Sequence, residues 1–214
     1  PIVPAPTTRN VLSISAPFAQ GLRKAPSHLR SMDRPHWKRL RSTYLIDSTY
    51  LKIRRDEIEL PDGTVLPDYY IREARGFAIV IARTTAHRFL AIEQYRYASD
   101  DVGLEFVAGS LERNEEPLHC AQREMREETG YDAPRWELLG EFRPDPVRST
   151  SVAYLYFADG ARRVADPQLE PTEQIEAAEL SLDELFAAVR DRRMHAGPSL
   201  AAFSIGLAHG IFNQ

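Results

Sequence analysis

Three glutamates, Glu124, Glu127 and Glu128, stand at positions i, i+3 and i+4 of one short stretch of the chain. On a helix these positions share one face, so the three charges would repel one another unless a cation lies among them. Carboxylate oxygens of this kind suit Mg²⁺ or Mn²⁺, which also accept water and phosphate oxygens. A solvated acidic face is the commoner explanation of glutamates alone, and the flanking residues decide between the two.

The segment around the glutamates carries its own helix start and stop signals. Pro117 fits the first helical turn, and Gly130 fits the left-handed position just beyond the end. Leu118, Ala121 and Met125 form a neighbouring apolar stripe that can pack on a core. We therefore predict a helix of about three to four turns that presents the glutamates beside the core.

The complete run from Gly109 to Tyr131 resembles a Nudix box, the signature of Nudix hydrolases. It reads Gly, five residues, Glu, seven residues, and then Arg-Glu-Met-Arg-Glu-Glu-Thr-Gly-Tyr. The resemblance implies an α/β/α sandwich with a mixed sheet, and hydrolysis of a nucleoside diphosphate linked to another group. It also implies about two or three Mg²⁺ ions per site, or Mn²⁺ in their place.

The family pattern assigns metal ligands to this sequence. Glu124 and Glu128 would bind the ions directly, and Glu127 would bind as a further ligand or through water. The backbone carbonyl of Ala108 would complete the set. A glutamate would take the proton from the attacking water, and the candidates are Glu173 and the box acids Glu127 and Glu128.

The same pattern implies structural roles for other residues of the box. Glu115 and Arg123 would form an ion pair that braces the loop against the helix, with a surface pair of little energetic value as the alternative. Gly109 and Gly130 would be the structural glycines of the motif. Cys120, inside the helix, is expected to be a small helix-face residue rather than a catalytic one.

Flanking segments narrow the resemblance to ADP-ribose pyrophosphatases and related nucleoside-diphosphate-sugar hydrolases. These segments are Gln94-Tyr95-Arg96 and Glu105-Phe-Val-Ala-Gly109. Pro146, fifteen residues beyond Tyr131, matches a marker of the ADP-ribose group, although prolines also occupy such positions as ordinary turn residues. In this subfamily an amino-terminal β domain exchanges between subunits, so the resemblance implies a homodimer whose active sites use both chains.

Substrate-binding roles follow from the same resemblance. Arg96 would grip the pyrophosphate, because a guanidinium can hold phosphate oxygens in pairs. Glu105 would help at the metal site or position the nucleotide, and Glu173 resembles the mobile-loop general base of bacterial ADP-ribose hydrolases. Arg72 and Arg75 are further candidates for holding phosphate or ribose across the dimer.

One segment departs from the ADP-ribose pattern. After the marker proline those enzymes often carry a Gly-rich stretch that ends in a glutamate, whereas Val147–Ser151 contains neither glycine nor acid. Arg148 instead adds positive charge where the sugar or terminal phosphate would lie. Other substrates therefore stay open, among them GDP-mannose, a dinucleotide and a capped RNA end. A non-catalytic nucleotide-sugar sensor is a further alternative, but the box is intact and no helix-turn-helix is evident.

The elements around the box are predicted to be rich in β-structure. Strands are predicted at Tyr44–Asp47, Tyr50–Arg54, Glu57–Leu60, Val65–Arg72, Phe77–Ala82, Phe89–Gln94, Asp101–Phe106, Val152–Ala158 and Gln174–Leu180. Pro61-Asp62-Gly63 indicates a hairpin turn, and Pro67 indicates an edge strand or a bulge. The strands from Phe77 and Phe89 are predicted to form a second hairpin.

Two helices are predicted near the carboxyl end. Ser181-Leu-Asp-Glu184 is a capping box, so one helix should run from there to about Met194. Pro198 should open the last helix. Its inner side is expected to carry large apolar residues at helical spacing. These residues are Leu200, Phe203, Leu207 and Ile211.

Composition and charge bound the domain organisation. We predict a Pro-rich basic extension over residues 1–35, with a targeting remnant as the alternative, a β domain over 36–73 and a Nudix domain over 74–214. The 214 residues carry a net charge of −4 with mixed signs, which argues against nucleic acid as the partner. The single cysteine excludes an intrachain disulfide, so we expect a cytoplasmic location. No apolar run is long enough for a membrane span.

Overall fold

A computed structural model describes residues 36–171 and 173–213 of the chain, so the predicted extension over residues 1–35 lies outside the described part. The described residues form eleven strands and three helices. In chain order they are β1 (Lys38–Asp47), β2 (Lys52–Glu59), β3 (Val65–Glu73), β4 (Phe77–Thr84), β5 (Phe89–Arg96), β6 (Asp101–Glu105), β7 (Val107–Ser110), α1 (Pro117–Thr129), β8 (Tyr131–Asp132), β9 (Arg135–Phe142), β10 (Ala153–Arg163), β11 (Ile175–Leu180), α2 (Leu182–Arg190) and α3 (Gly197–Ala208).

The first three strands form a separate antiparallel sheet in the order β1-β2-β3. The predicted hairpin joins β2 to β3, and Gly63 in its turn has a φ of 84°, a conformation that glycine adopts without strain. The indications from Pro67 are also confirmed. It lies on the edge strand β3, and the pairing register shifts opposite it, between Asp56 and Ile58.

The larger sheet is mixed and is covered by helices on both faces. Its central strands follow the order β11-β5-β4-β10, and β4 pairs with β10 in parallel while the other pairs are antiparallel. Strand β4 is buried on both sides. Ile79 and Ile81 pack with residues of α2 and α3, whereas Ala78 and Val80 pack with residues of α1. This arrangement confirms the predicted α/β/α sandwich preceded by a small antiparallel sheet.

Helix α1 has the predicted bounds. Pro117 occupies its first turn, and Gly130 caps it in the left-handed conformation with a φ of 75°. Ala121 and Met125 are fully buried, and Leu118 packs beside them. The short helix therefore depends on its apolar stripe for attachment to the sheet, because an isolated helix of this length is marginal in water.

Helix α2 is shorter than predicted. The capping box is present, since the Ser181 hydroxyl accepts from the amide of Glu184 and the Glu184 carboxylate accepts from the amide of Ser181. However, α2 ends at Arg190 rather than near Met194. Arg192 has a φ of 65°, which breaks the helix, and Met194 is buried by the following turn.

The inner face predicted for α3 is wrong in part. Leu207 is 41% exposed, and Ile211 lies beyond the end of the helix. Small residues form the face that packs on β4. A Cβ atom at Gly206 would lie 2.8 Å from the side chain of Ile81, so the helix approaches the sheet too closely for a side chain at this position. The buried residues of α3 are Ser199, Ala202, Phe203 and Gly206.

Three strands were absent from the sequence prediction, namely β7, β8 and β9. Strand β9 lies outside the β11-β5-β4-β10-β8 path, pairs with β10, and carries charged residues such as Glu137 and Glu141, so it shows no clear apolar alternation. Strand β7 is separated from β6 by the single residue Phe106. No described helix has both the length and the apolar character needed to cross a bilayer.

The small sheet is attached to the segment that follows Pro146. The backbone amide of Arg72 donates to the carbonyl of Arg148 at 2.7 Å, and the amide of Thr150 donates to the carbonyl of Arg72 at 3.1 Å. The Tyr69 hydroxyl donates to the Val147 carbonyl at 2.9 Å. The segment that departs from the ADP-ribose pattern is therefore held by the amino-terminal sheet.

Candidate active site

The carboxyl-terminal half of α1 lines a cavity of about 480 Å³. Glu124 and Glu128 are buried there, with 9% and 5% of their surfaces exposed, and the Glu127 side chain is 42% exposed. Arg96 from β5, Ala108 from β7 and Glu173 from the loop before β11 line the same cavity. The fold thus brings together residues that the sequence motifs located in four separate segments.

The cavity also contains residues that the motifs did not single out. These are Ser110, Glu112, Gln168 and Glu170. Gln168 and Glu170 belong to the loop between β10 and β11, which reaches the site because the Gln168 amide donates to the Glu127 carbonyl at 2.8 Å. This contact uses the backbone only, so no side-chain pattern in the sequence signals it.

Glu128 is the most perturbed acid of the cavity. Burial raises the pKa of its carboxyl to about 9, and the nearby charges of Glu124 and Glu173 add to the rise. Among the described residues none donates a hydrogen bond to its buried Oε2 atom. A buried carboxylate oxygen without a donor needs a proton or a cation, so this atom fits a metal ligand.

Arg123 joins the loop of the box to the helix. Its Nε and Nη2 atoms donate to the two carboxylate oxygens of Glu115 at 2.9 and 3.0 Å. Both side chains are largely buried, with 25% and 12% exposed, so this is not a surface pair. The pairing with Arg123 also holds the pKa of Glu115 below its usual value.

The same arginine lies between two of the candidate metal ligands. Its Nη1 atom contacts Glu124 Oε1 at 2.8 Å and Glu127 Oε2 at 3.0 Å. In the part of the chain that the structure describes, no three acidic, histidine or cysteine side chains already converge in a metal-binding arrangement. Arg123 Nη1 thus contacts one oxygen of each carboxylate, and these contacts do not involve Glu124 Oε2 or Glu127 Oε1.

Strand β7 packs directly on the helix at Gly109. A Cβ atom there would overlap the carboxylate of Glu124. From the helix, the Cys120 thiol donates to the Gly109 carbonyl at 3.3 Å. Burial raises the pKa of Cys120 to about 12, which leaves the thiol unreactive and matches its predicted place as a small packing residue.

Gly130 caps the end of α1 and also contacts the loop beyond β10. Its carbonyl accepts from the amides of Val164 and Ala165 at 2.8 and 3.1 Å. A Cβ atom at Gly130 would overlap the carbonyl of Ala165. The position therefore requires glycine for its left-handed backbone and also for this close approach.

Arg96 is paired with Glu105 at the other side of the cavity. Its Nε and Nη2 atoms donate to the two carboxylate oxygens, each at 2.8 Å. Glu105 is only 8% exposed, and the hydrogen bond with it raises the pKa of Arg96. The pair fixes the plane of the guanidinium and does not use its Nη1 atom.

Glu173 stands in a local turn beside the box glutamates. Its Oε2 atom accepts from the backbone amide of Glu170 at 2.9 Å. Its charge is one cause of the raised pKa values of Glu124 and Glu128, after burial of each carboxyl. The carboxylate is therefore within electrostatic range of the glutamates, and its role as general base stays a prediction.

Three predicted substrate residues lie outside this cavity in their own chain. Arg72 and Arg75 line a separate cavity of about 640 Å³ beside the amino-terminal sheet. The guanidinium of Arg148 lies over the ring of Tyr69, 5.4 Å from its centroid. Their proposed contact with substrate across a dimer stays a prediction.

Two family models match adjoining parts of the chain. The NUDIX domain matches residues 72–203, and the nucleoside diphosphate sugar hydrolase N-terminal domain matches residues 37–71. The second match covers most of the three-stranded sheet, and the first covers the sandwich with the cavity.

Comparison with individual proteins gives the same result. The chain is 30% identical over 166 residues to a methanol dehydrogenase activator from Bacillus methanolicus, which covers 77% of this chain and 89% of the relative. It is 26% identical over 141 residues to an ADP-ribose pyrophosphatase from Bacillus subtilis, with coverages of 65% and 76%. A crystal structure of an ADP compounds hydrolase superposes with a TM-score of 0.75 at 16% identity, over 86% of this chain and 98% of that one, and supports the fold. The chain therefore belongs to the Nudix family and is a Nudix pyrophosphohydrolase of nucleoside diphosphate derivatives.

Proposed function

We propose that the protein hydrolyses the diphosphate bond of ADP-ribose, giving AMP and ribose 5-phosphate, in a reaction that depends on Mg²⁺. The observation that carries the proposal is Glu128, a buried carboxylate whose Oε2 atom has no donor among the described residues, in a cavity shared with Arg96. The match to a nucleoside diphosphate sugar hydrolase domain supports a sugar-linked substrate.

The residues that would hold the metal ions are all oxygen donors. They are the carboxylates of Glu124, Glu127 and Glu128 and the carbonyl of Ala108, a set that suits Mg²⁺ or Mn²⁺. When bound, such ions neutralise diphosphate charge and lower the pKa of a coordinated water.

The chain's own residues would do the remaining work. Arg96 holds phosphate oxygens through the part of its guanidinium that Glu105 does not occupy. Glu173 accepts the proton of the attacking water, with Glu127 and Glu128 as the alternatives. Arg123, paired with Glu115, keeps the loop of the box in register with the helix.

A second candidate function is hydrolysis of another diphosphate, such as GDP-mannose or a dinucleotide. Among the described residues that line the cavity, none is aromatic, so no ring is available there to stack on a nucleobase. The segment around Arg148 also lacks the glycine and the acid of the ADP-ribose pattern. The second candidate is therefore compared with ADP-ribose in the same assay.

We further propose that two chains associate through the amino-terminal sheet. Strand β1 is exposed along almost its whole length. Large apolar residues on and before it are accessible, including Trp37, Tyr44, Leu45 and Ile46. An exposed apolar surface of this kind marks an interaction site. A cytoplasmic location stays a prediction from the cysteine content.

The substrate can be identified with a panel of nucleoside diphosphate derivatives assayed with Mg²⁺. ADP-ribose, GDP-mannose, NAD⁺, diadenosine polyphosphates and capped RNA should be compared by kcat/KM, with product analysis by chromatography. We expect ADP-ribose to give the highest value and to yield AMP. A higher value for another compound would replace ADP-ribose, and inactivity on all of them would favour the sensor.

Glu128→Gln should lower kcat by about 10²-fold to 10⁴-fold on the best substrate, because the buried metal ligand loses its charge. The variant should melt no earlier than the wild type in the presence of a chelator, since the Glu128 carboxyl, with its pKa raised to about 9, must take up a proton to be buried, whereas an amide is neutral in both states. Glu116→Gln, on the exposed amino-terminal cap of the same helix, is the control and should leave kcat unchanged. Near-normal turnover of Glu128→Gln would contradict the metal assignment.

A further inference from the structure

The chain changes its sheet partner at Phe106, between two candidate site residues. Strand β6 pairs with β5, where Glu105 lies opposite Ile92. Strand β7 pairs with β4, where Val107 lies opposite Val80. Phe106 is the single residue between the two strands and is fully buried. Any movement of this residue would move Glu105 on one side and Ala108 on the other.

The second edge of β6 is held by the carboxyl-terminal part of the chain. The amide of Leu104 donates to the carbonyl of Arg193 at 2.8 Å, and the amide of Phe106 donates to the hydroxyl of Ser199 at 3.1 Å. Amides two residues apart point to the same edge of a strand. The stretch from Arg193 to Ser199 therefore takes the place that a neighbouring strand would occupy.

Ser199 is built into the core to make this contact. It lies in the first turn of α3, and only 3% of its surface is exposed. Water therefore cannot replace the hydroxyl as an acceptor for the Phe106 amide, and the loss of a buried partner leaves that amide unsatisfied. A buried hydrogen bond of this kind would stabilise a core wherever it occurred. A functional role for Ser199 therefore depends on where its hydrogen bond lies relative to the active site.

The hydrogen bond between Ser199 and Phe106 lies beside residues on two sides of the catalytic cavity. Glu105 precedes Phe106 and fixes the guanidinium of Arg96 with two hydrogen bonds of 2.8 Å. Ala108 follows two residues later and lines the cavity, and Gly109 packs against the Glu124 carboxylate. The position of Phe106 therefore affects both Arg96, the proposed phosphate-binding group, and Ala108, a proposed metal ligand.

We propose that Ser199 is a positioning residue of the active site, whose buried hydroxyl fixes Phe106 and thereby aligns the Glu105–Arg96 pair with the carbonyl of Ala108. The role rests on the proposed function, in which Arg96 holds the diphosphate and Ala108 binds a metal ion. Ser199 is separated from Phe106 by 93 residues of sequence and lies outside the Nudix box.

Ser199→Ala tests this role. Ala202→Gly is the matched control, because it weakens the same buried face of α3 one turn later and leaves the hydrogen bond from Ser199 to the Phe106 amide in place. Both variants are assayed at a temperature well below their melting points, on the best substrate of the wild type. For Ser199→Ala we expect kcat/KM to fall between about tenfold and a hundredfold, and for Ala202→Gly we expect the wild-type value.

Two further measurements do not depend on catalysis. Titration with Mn²⁺, followed by electron paramagnetic resonance, should show about tenfold weaker binding by Ser199→Ala than by Ala202→Gly. Amide hydrogen exchange should be faster at Phe106 and Ala108 in Ser199→Ala alone. If Ser199→Ala does not fold, Ser199→Cys takes its place, since a thiol is a weaker acceptor of similar size, and should give intermediate values.

The outcomes separate this inference from the proposed function. If Ser199→Ala equals Ala202→Gly in kcat/KM and in Mn²⁺ affinity, Ser199 only stabilises the core and the inference fails. If the wild type hydrolyses no compound of the panel, the proposed function fails. The Mn²⁺ titration and the exchange rates then still decide whether Ser199 positions the metal-binding wall.

Discussion

At the scale of single residues, the two structural glycines of the box, Gly109 and Gly130, are required for different physical reasons. Gly130 adopts a φ of 75°, so any other residue there is strained even before its side chain meets Ala165. Gly109 lies in the strand β7, where other residues are tolerated by the backbone. The three atoms nearest to a Cβ atom at Gly109 all belong to the Glu124 carboxylate, which makes this position a direct probe of that carboxylate.

Gly109→Ala should displace the Glu124 carboxylate and lower kcat/KM by about tenfold to a hundredfold, because a metal ligand is moved by about an ångström. The Mg²⁺ concentration needed for half-maximal activity should rise with it. Gly197→Ala is the control, since a Cβ atom there meets nothing within 4 Å. If Gly109→Ala needs the same Mg²⁺ concentration as the wild type, the reaction does not require the Glu124 carboxylate at its present position.

The residues of the box could be predicted from the sequence because helical spacing and a fixed motif determine them. Glu124, Glu127 and Glu128 face one cavity as the spacing requires. Gln168 and Glu170 could not be predicted, since a backbone hydrogen bond to the Glu127 carbonyl brings their loop to the site. Backbone contacts of this kind depend on the folded path of the chain and on no residue type.

At the scale of elements, one carboxylate joins three neighbouring strands of the large sheet. Asp159 on β10 lies opposite Arg83 on β4 and Arg135 on β9, and accepts hydrogen bonds from both guanidinium groups. The bond from Arg83, followed by that from Arg135, lowers the pKa of Asp159 to about 2 despite its burial. The Asp159 side chain is 19% exposed and that of Arg83 is 12% exposed, so solvent screens this pair only in part.

Asp159→Asn should lower the free energy of unfolding by about 2 kcal/mol at neutral pH. This value follows from the pKa of Asp159, which falls from 3.8 to about 2 on folding. Because the folded pKa is the lower one, this stabilisation is present above about pH 4 and is lost as the pH falls towards 2. Denaturant unfolding at several pH values should therefore show convergence of variant and wild type in acid.

The control for Asp159→Asn is Asp166→Asn, whose carboxylate is 94% exposed and pairs only with Arg163 among the described residues. We expect it to change the free energy of unfolding little at any pH, because exposed pairs contribute little. A constant difference between Asp159→Asn and the wild type down to pH 2 would mean that the deprotonated carboxylate is not the source of the stabilisation.

Element bounds were predictable where side chains carry the signal. The turn at Gly63 and the capping box at Ser181 lie where the sequence indicates. The inner face of α3 was predicted only in part: Phe203 is buried as expected, but Gly206 brings the helix too close to β4 for a side chain at that position. Spacing of large apolar residues identifies a face only when those residues form the contact.

At the scale of the whole molecule, the amino-terminal sheet buries little of its first strand. Ile58 and Asp56 are its buried residues, whereas β1 is exposed from Lys38 to Asp47 apart from a half-buried Thr43. A sheet of three strands needs a covered apolar face for stability. Among the described residues, the exposed side of β1 is therefore the surface that we propose as the contact with a second chain.

Leu45→Glu should convert a dimer of twice 24.3 kDa into a monomer, as measured by light scattering after size-exclusion chromatography. Leu45 is 50% exposed on β1, and a charge there opposes burial of the strand. Leu138→Glu on β9, at 54% exposure, is the matched control and should leave the mass unchanged. A dimeric Leu45→Glu, or a wild type that is monomeric at micromolar concentration, would contradict association through β1.

The position of Arg123 between Glu124 and Glu127 has a consequence for the affinity of the site for metal. The guanidinium is a counter-ion supplied by the polypeptide itself, so the helix does not need an external ion to offset its crowded charges while it forms. Under the proposed function, a metal ion bound by Glu124 and Glu127 would share these carboxylates with the guanidinium or displace it. The affinity of the site for metal would then depend on the strength of this internal ion pair as well as on the ligands themselves.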